Sequence, residues 1–243
     1  MNEADRQRAI LQRLARMQPS RLTGIPTGFP ALDETIGAGG LPRGHIVEIF
    51  GPAGSGKTTL LLQTAANVQR TGNTAAWIDA DHSFDQAWAA QLGVDTESMP
   101  LAQPSSAEQA LEMARTLAAS GAVDLLVVDS AAALVPKLEV ALGLDSPPGL
   151  HSRVMASGLR KLEQTLARSG ACVVFINQAR NREGGGETSA GGSPLKLHAS
   201  VRIMLARAGG PRVLLRTLKN KAAEGVAGRE LEWQKSGGFA ESP

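Results

Sequence analysis

Tyrosine is absent from this 243-residue chain, and aromatic residues make up only 3% of it. A protein so poor in rings does not hold a partner through rows of stacked aromatics. There is one cysteine, Cys172, so no disulfide can form within a single chain. It sits in the apolar run Ala171 to Ile176, where a thiol behaves as a small buried hydrophobe. No apolar run approaches the length needed to cross a bilayer, so no membrane partner is expected. The N-terminal stretch is charged and has no secretory signal core. Together these features predict a reducing, cytoplasmic setting. Strong charge of one sign is also missing: the formal net charge is +2, which permits a nucleic-acid partner without demanding one. What is present is a 42% hydrophobic content, which places the chain among globular proteins. Its length suffices for one large α/β domain with a sizeable core.

The stretch around which the rest is organised is Gly51-Pro52-Ala53-Gly54-Ser55-Gly56-Lys57-Thr58, a complete G-x-x-x-x-G-K-[ST] phosphate loop. A β-branched apolar run, His45 to Phe50, leads in, and a helical pattern, Thr59 to Val68, leads out. Glycines let the backbone approach a ligand, successive N–H groups converge on phosphate oxygens, and the helix adds its positive dipole end. Lys57 is placed for the β- and γ-phosphates and the Thr58 hydroxyl for Mg²⁺. The nucleotide-binding set is therefore Gly51 to Thr58 with Thr59, and the cofactors expected are ATP and Mg²⁺. A glycine-rich turn before an ordinary helix is the plain alternative, and Lys and Thr in register argue against it.

Along the chain, Asn2 to Met17 reads as an amphipathic helix with Ile10, Leu11, Leu14 and Met17 on one face and Arg6, Arg8, Arg13 and Arg16 mostly elsewhere. Pro19 ends it, and Ser20 to Gly28 reads as a linker. A short helix follows at Phe29 to Ile36, then a turn from Gly37 to Gly44. A second strand, Thr74 to Asp79, delivers Asp79 and Asp81 at its C-terminal end, the ligand-binding edge of an open parallel sheet. Helices are expected at Asp85–Leu92 and Ala107–Ala118. The apolar strand Leu125 to Val128 delivers Asp129, a Walker B pattern whose carboxylate would hold magnesium beside Thr58. Capping of the next element is the alternative role for Asp129. Ala131 to Leu150 opens as a turn of apolar structure and ends in a mobile loop, Gly143 to Gly149. A long helix is expected over His151–Ser169, then a strand over Ala171–Ile176, then a second irregular loop over Ala179–Pro194. Loops of that length inside a compact domain are usually functional. The strand-like segments Ala199–Ala206, Arg212–Leu218 and Glu230–Gln234 close the chain, the first two joined by the hairpin turn Ala208-Gly209-Gly210-Pro211. Lys219 and Lys221 stand at the end of the second of them.

In order along the chain come Ala38-Gly39-Gly40-Leu41-Pro42, the phosphate loop, Ile78-Asp79-Ala80-Asp81-His82, Val127-Val128-Asp129-Ser130, Phe175-Ile176-Asn177-Gln178, Leu195-Lys196 with Ala199-Ser200-Val201-Arg202, and Lys219-Asn220-Lys221. This ordered set resembles the RecA family of DNA-dependent ATPases and recombinases, from about Ile25 to Trp233. The resemblance implies an α/β phosphate-loop NTPase fold with a mostly parallel central sheet, helices on both faces and a C-terminal antiparallel extension. It divides the chain into an N-terminal oligomerisation helix and linker, residues 1–24, and an ATPase core, residues 25–243. The family's C-terminal domain is expected to be missing. Asp81 stands where the family carries the catalytic carboxylate that activates water. Asp85 and Trp88 stand at the adenine contacts, Trp88 by stacking. Gln178 matches the residue that senses the γ-phosphate. Lys219 and Lys221 match lysines that reach into the neighbouring subunit's ATP site. The implied assembly is a head-to-tail homo-oligomer, a helical filament, on single-stranded DNA bound without regard to sequence, with duplex DNA allowed as a second partner. Arg153, Arg180, Arg182, Lys196 and Arg202, with the backbone of Gly191 and Gly192, are the residues expected to follow the DNA phosphates.

The chain departs from the family at Asp81, where the usual residue is Glu. The shorter side chain places the carboxylate roughly 1–1.5 Å further from the water, enough to slow hydrolysis. The loop Leu142 to Leu150 lacks the family's acidic and methionine pattern, and the second loop is shorter than usual. Two other readings stay open at this point. One is an accessory, ImuA-like paralog that binds ATP, hydrolyses it weakly and performs no strand exchange. The other is a ring-forming motor or KaiC-like ATPase of the same fold.

Overall fold

The computed structural model describes residues 24–145, 147–181, 187–235 and 237–241. The expected helix Asn2–Met17 lies outside the described residues, as does Arg182. The elements in order are α1 (Pro30–Ile36), β1 (Ile46–Gly51), α2 (Lys57–Arg70), β2 (Ala75–Asp79), α3 (Gln86–Gln91), β3 (Leu101–Ala102), α4 (Ala107–Ala119), β4 (Leu125–Asp129), α5 (Lys137–Leu142), α6 (Leu150–Ser169), β5 (Cys172–Asn181), β6 (Glu187–Ser189), α7 (Pro194–His198), β7 (Val201–Arg207), β8 (Arg212–Asn220), β9 (Gly228–Trp233) and β10 (Phe239–Glu241).

One sheet runs β10-β9-β8-β7-β1-β5-β4-β2-β3, with β6 paired to β5 off this path. From β7 to β3 every pairing is parallel, and β7 to β10 form an antiparallel extension. The central strands are apolar and buried because helices cover both faces. Leu125 and Val127 of β4, with Val174 and Ile176 of β5, join one core beneath α1, α2 and α3. Leu126 and Val128, with Val173 and Phe175, join a second core beneath α4 and α6. Helices α4 and α6 approach closely where α6 carries glycine: a Cβ on Gly158 would lie 2.4 Å from Leu111 Cδ1. Cys172 is buried and unpaired, as its place in an apolar run predicts.

Several expected irregular stretches are structured. Ile25, read as linker, is fully buried and bridges Leu41, whose carbonyl accepts the Ile25 N–H at 2.8 Å. The stretch Ala131–Leu150 contains 3-10 turns at Ala131–Ala133 and Gly143–Asp145 and the short helix α5. The second loop is a β-hairpin on both flanks: β5 continues to Asn181, and Arg180 pairs with Thr188 on β6. Glycine content marked these stretches as irregular, but the strand ends project past the sheet edge and satisfy their backbone groups by pairing with each other. The edge strand β3, helix α7 and strand β10 are too short to leave a periodic pattern.

Candidate functional site

The loops after β1, β2, β4 and β5 emerge along one edge of the sheet. Register places Gly51 level with Gln178 and Asp79 level with Asp129. The phosphate loop is gripped from two sides at glycines. A Cβ on Gly51 would meet the Leu205 carbonyl oxygen at 2.3 Å. Gly56 has φ +87°, and a Cβ there would meet the Phe239 ring at 2.4 Å. Phe239 packs edge-on against Trp233, ring centroids 5.0 Å apart. Its backbone is fixed by both ends of the Gln63 amide, at 2.7 and 3.1 Å. Arg207, at the end of β7, donates to the Gly54 carbonyl at 3.0 Å.

Lys57 turns its ammonium into the loop, donating to the Gly51 and Pro52 carbonyls at 3.1 and 2.8 Å and reaching Ser55 Oγ at 3.4 Å. Burial holds it below the usual lysine range, opposed by the Asp129 charge. The lysine thus stands beside the cradle a phosphate would fill. Thr58 Oγ1 donates to Asp129 Oδ2 at 2.9 Å. Burial lifts the Asp129 carboxyl to about 6; the Thr58 hydrogen bond opposes this, Asp81 and Asp79 add to it, and Lys57 counters it. The Asp129 carbonyl accepts the Ala80 and Asp81 N–H groups at 2.6 and 3.2 Å, and Ser130 Oγ donates to Asp81 Oδ1 at 3.2 Å. Asp81 is exposed at the mouth of the loop.

A hydroxyl beside a carboxylate at a helix N-terminus suits a hard divalent cation bound with phosphates. Among the described residues no group of three or more His, Cys, Asp or Glu side chains could hold a metal. Mg²⁺ keeps several waters, is held by one or two protein groups and takes its other oxygens from its nucleotide. Thr58 and Asp129 therefore fit the ion, and the Gly51–Thr59 backbone fits the phosphates.

Asp85 and Trp88 open helix α3. The Asp85 carboxylate caps α3, accepting the Trp88 N–H at 2.9 Å. The partly buried Trp88 ring lies against Gly237, where a Cβ would come within 2.4 Å. Gly237 and Phe239 thus bring the C-terminal strand to both the indole and the phosphate loop, a closure that sequence reading missed.

The expected DNA-facing residues are brought together only in part. Arg180, Gly191 and Gly192 are exposed around the β5–β6 hairpin. Lys196 donates to Thr188 on that hairpin at 2.7 Å. Arg153 is exposed at the start of α6, with a long contact to the Pro148 carbonyl at 3.4 Å. Arg202 corrects the expectation. Its guanidinium is largely buried, donates to Glu48 at 2.5 Å and Ser189 at 3.0 Å, and lies 5.2 Å from the Phe50 ring centroid. It is turned inward and not presented to a phosphate backbone. The signal for this was Glu48, an acidic residue in the otherwise apolar strand Ile46–Gly51.

Through Arg202, Lys219 stands level with Glu48 of β1, three residues before Gly51, and Lys221 lies further from the phosphate loop of their own chain. Lys219 pairs with Arg202 across β7–β8, and the Lys221 N–H bonds the Ser200 carbonyl, level with Ile46. The five steps from Ile46 to Gly51 span about 16 Å of strand, and the three from Glu48 about 10 Å. The Lys219 ammonium donates to the carbonyls of Lys196 and Leu197 at 2.8 and 2.9 Å. Partial burial, together with Lys221 and Arg202, lowers its pKa.

The model for the RecA N-terminal domain matches residues 3–225. The chain is 47% identical to Protein RecA of Acidothermus cellulolyticus over 227 residues, 88% of this chain and 66% of that protein. It is 46% identical to Protein RecA of Bifidobacterium longum over 234 residues, 90% and 59% of the two chains. With Protein RecA of Thermus thermophilus the identity is 44% over 240 residues, 93% and 71%. The chain spans about three fifths to seven tenths of the length of these relatives.

Proposed function

The chain belongs to the RecA family, and on that premise we propose that it is an ATP-dependent, single-stranded DNA-binding protein that assembles head to tail into helical filaments and acts in recombination and repair. The observation that carries the proposal is the position of Lys219 and Lys221. Level with Glu48 and Ile46 of β1, they stand behind the phosphate loop of their own chain and not over it, which supports their serving the nucleotide of a second copy. A contact of that kind uses different surfaces on the two partners and generates an open helical assembly.

In this reading the Gly51–Thr59 backbone binds the phosphates of ATP and Lys57 leaves the Gly51 and Pro52 carbonyls to meet the β- and γ-oxygens. Thr58 and Asp129 hold Mg²⁺, which neutralises charge on those oxygens. Asp81, steadied by Ser130, orients the attacking water. The lysines of the next protomer add positive charge as the γ-phosphoryl departs, an effect worth about 10³-fold or more in rate. Gln178, level with Gly51, meets the γ-phosphate at the root of the β5–β6 hairpin. Arg153, Arg180, Arg182 and Lys196, with the Gly191 and Gly192 backbone, follow the DNA phosphates, while Arg202 supports them from below. Hydrolysis is slow because Asp81 is one methylene short. Residues 1–24 supply the arm that docks on the adjacent copy, and the setting is the cytoplasm. Among the described residues no helix is long and apolar enough to cross a membrane. The test is ATP turnover with and without oligo(dT) at low salt: stimulation supports the proposal, and equal rates sink it.

A further inference from the structure

Among the described residues, the charged side chains that are buried are Glu48, Lys57, Asp79 and Asp129. Lys57 and Asp129 belong to the nucleotide site, and Asp79 accepts the Ser83 and Phe84 N–H groups in the turn after β2. Glu48 has no such local duty. It is 0% exposed in the middle of β1, the central strand of the sheet. A carboxylate there is expensive to desolvate, and apolar side chains of similar volume would usually stabilise the strand as well or better.

Its two oxygens serve two different elements. Oε1 accepts from Asn177 Nδ2 at 2.8 Å, and Oε2 from Arg202 Nε at 2.5 Å. Asn177 directly precedes Gln178, and its Oδ1 accepts the Gln178 N–H at 2.9 Å. The same Asn177 Nδ2 reaches the Ala190 carbonyl at 3.1 Å, and the Ala190 N–H returns to the Gln178 carbonyl at 2.9 Å. Arg202 Nη2 donates to Ser189 Oγ at 3.0 Å. One buried carboxylate therefore fixes the strand end that carries Gln178 and, through Asn177 and Arg202, both residues where the hairpin returns.

We propose that Glu48 and Arg202 form a positioning pair that couples the Gln178 end of β5 to the β5–β6 hairpin, so that nucleotide at the phosphate loop and DNA at the hairpin sense each other through it. This rests on the function proposed above. A buried, fully bonded network is stiff, because each member left unpaired would carry its desolvation penalty. Movement of the Asn177–Gln178 peptide must then move Ser189 and Ala190 or break buried bonds. By thermodynamic reciprocity, DNA that shifts the hairpin changes nucleotide affinity by the same factor.

Glu48→Gln tests the pair, since it turns one of the two accepting oxygens into an NH₂ that faces the Asn177 or the Arg202 donor. Turnover without DNA should stay within about twofold of wild type with KM unchanged, while stimulation by oligo(dT) falls about tenfold, the scale of a broken coupling network. Glu48→Met/Arg202→Met removes both charges and leaves neither unpaired. It should melt at or above the wild-type temperature and still lose the stimulation. Either folded variant with full stimulation overturns the proposal. A third reading needs no substitution. In the wild type, adenylyl imidodiphosphate with Mg²⁺ and no DNA should slow amide hydrogen exchange across residues 187–190; unchanged exchange there overturns the pair. A wild type that oligo(dT) does not stimulate would strike the ATPase reading instead, and the exchange result would still judge the pair.

Discussion

Thr58 and Asp129 are 71 residues apart in sequence, and their side chains meet at 2.9 Å. The hydroxyl at the start of α2 bonds the carboxylate at the end of β4 in the place where a hard cation would join them. Burial raises the Asp129 carboxyl to about 6 against an ordinary 3.8, with Asp81 and Asp79 nearby. The folded, metal-free chain therefore binds an additional proton between about pH 4 and pH 6. The contribution of this group to stability is complete below the unfolded value and is lost as pH rises through the folded one. Asp129→Asn should stabilise the metal-free protein by about 2–3 kcal/mol at pH 7.5, with the gain shrinking toward pH 4. Thermal melts in chelator across that range measure it. The same variant should lose the stabilisation that Mg²⁺ and ATP give the wild type, and equal melting curves at pH 7.5 would contradict the assignment.

Asp81 is held by Ser130 at 3.2 Å and by its own N–H on the Asp129 carbonyl. Asp81→Glu extends the carboxylate toward the loop mouth without disturbing that backbone anchor. It should raise DNA-stimulated kcat by about tenfold or more, with little change in KM for ATP. A lower kcat would mean that the pocket already fits the shorter acid.

Gly56 tests how the C-terminal strand closes on the loop. Alanine there meets both a positive φ and the Phe239 ring. Gly56→Ala should cost about 1–3 kcal/mol and should weaken nucleotide binding. Phe239→Ala opens space but leaves the φ penalty, so Gly56→Ala should cost less in the Phe239→Ala background than in the wild type, without becoming neutral. A neutral Gly56→Ala in that background, in denaturant titrations, would show that ring contact alone sets the cost.

Lys196 is tied to the hairpin at Thr188, and Arg180 stands exposed on it. If they meet phosphates, Lys196→Ala should weaken oligo(dT) binding equally for all sequences. The slope of log K against log salt should fall by about 0.7. An unchanged slope would remove Lys196 from the interface.

How much of this was legible in the sequence depends on the local signal each residue carries. The strand–loop–helix around Gly51–Thr58, the place of Asp129 at the end of β4, and the strand pattern of β4 and β5 are local in sequence, and the structure has these elements where the pattern puts them. Helix α2 and the hairpin between β7 and β8 likewise carry their own periodicity and turn residues. The β5–β6 hairpin was hidden because its pairing is between strand ends that leave the sheet, with glycines between them. Ile25 reads as linker because its partner, Leu41, lies in a glycine-rich turn. Arg202 looked like one more basic residue for DNA; only the sheet brings it beside Glu48, 154 positions away. The contact of Phe239 with Gly56 depends on two short antiparallel strands at the end of the chain, which have no periodicity to detect.

The central claim is that each nucleotide is shared by two copies, and mixing two inactive variants tests it most directly. Lys57→Ala disables the phosphate loop but keeps Lys219 and Lys221; Lys219→Ala/Lys221→Ala does the reverse. Each alone should show no DNA-stimulated ATP turnover. Mixed in equal amounts on oligo(dT), they should regain activity, because roughly a quarter of random head-to-tail contacts then join an intact loop to intact lysines. A mixture as inactive as its components would contradict the account.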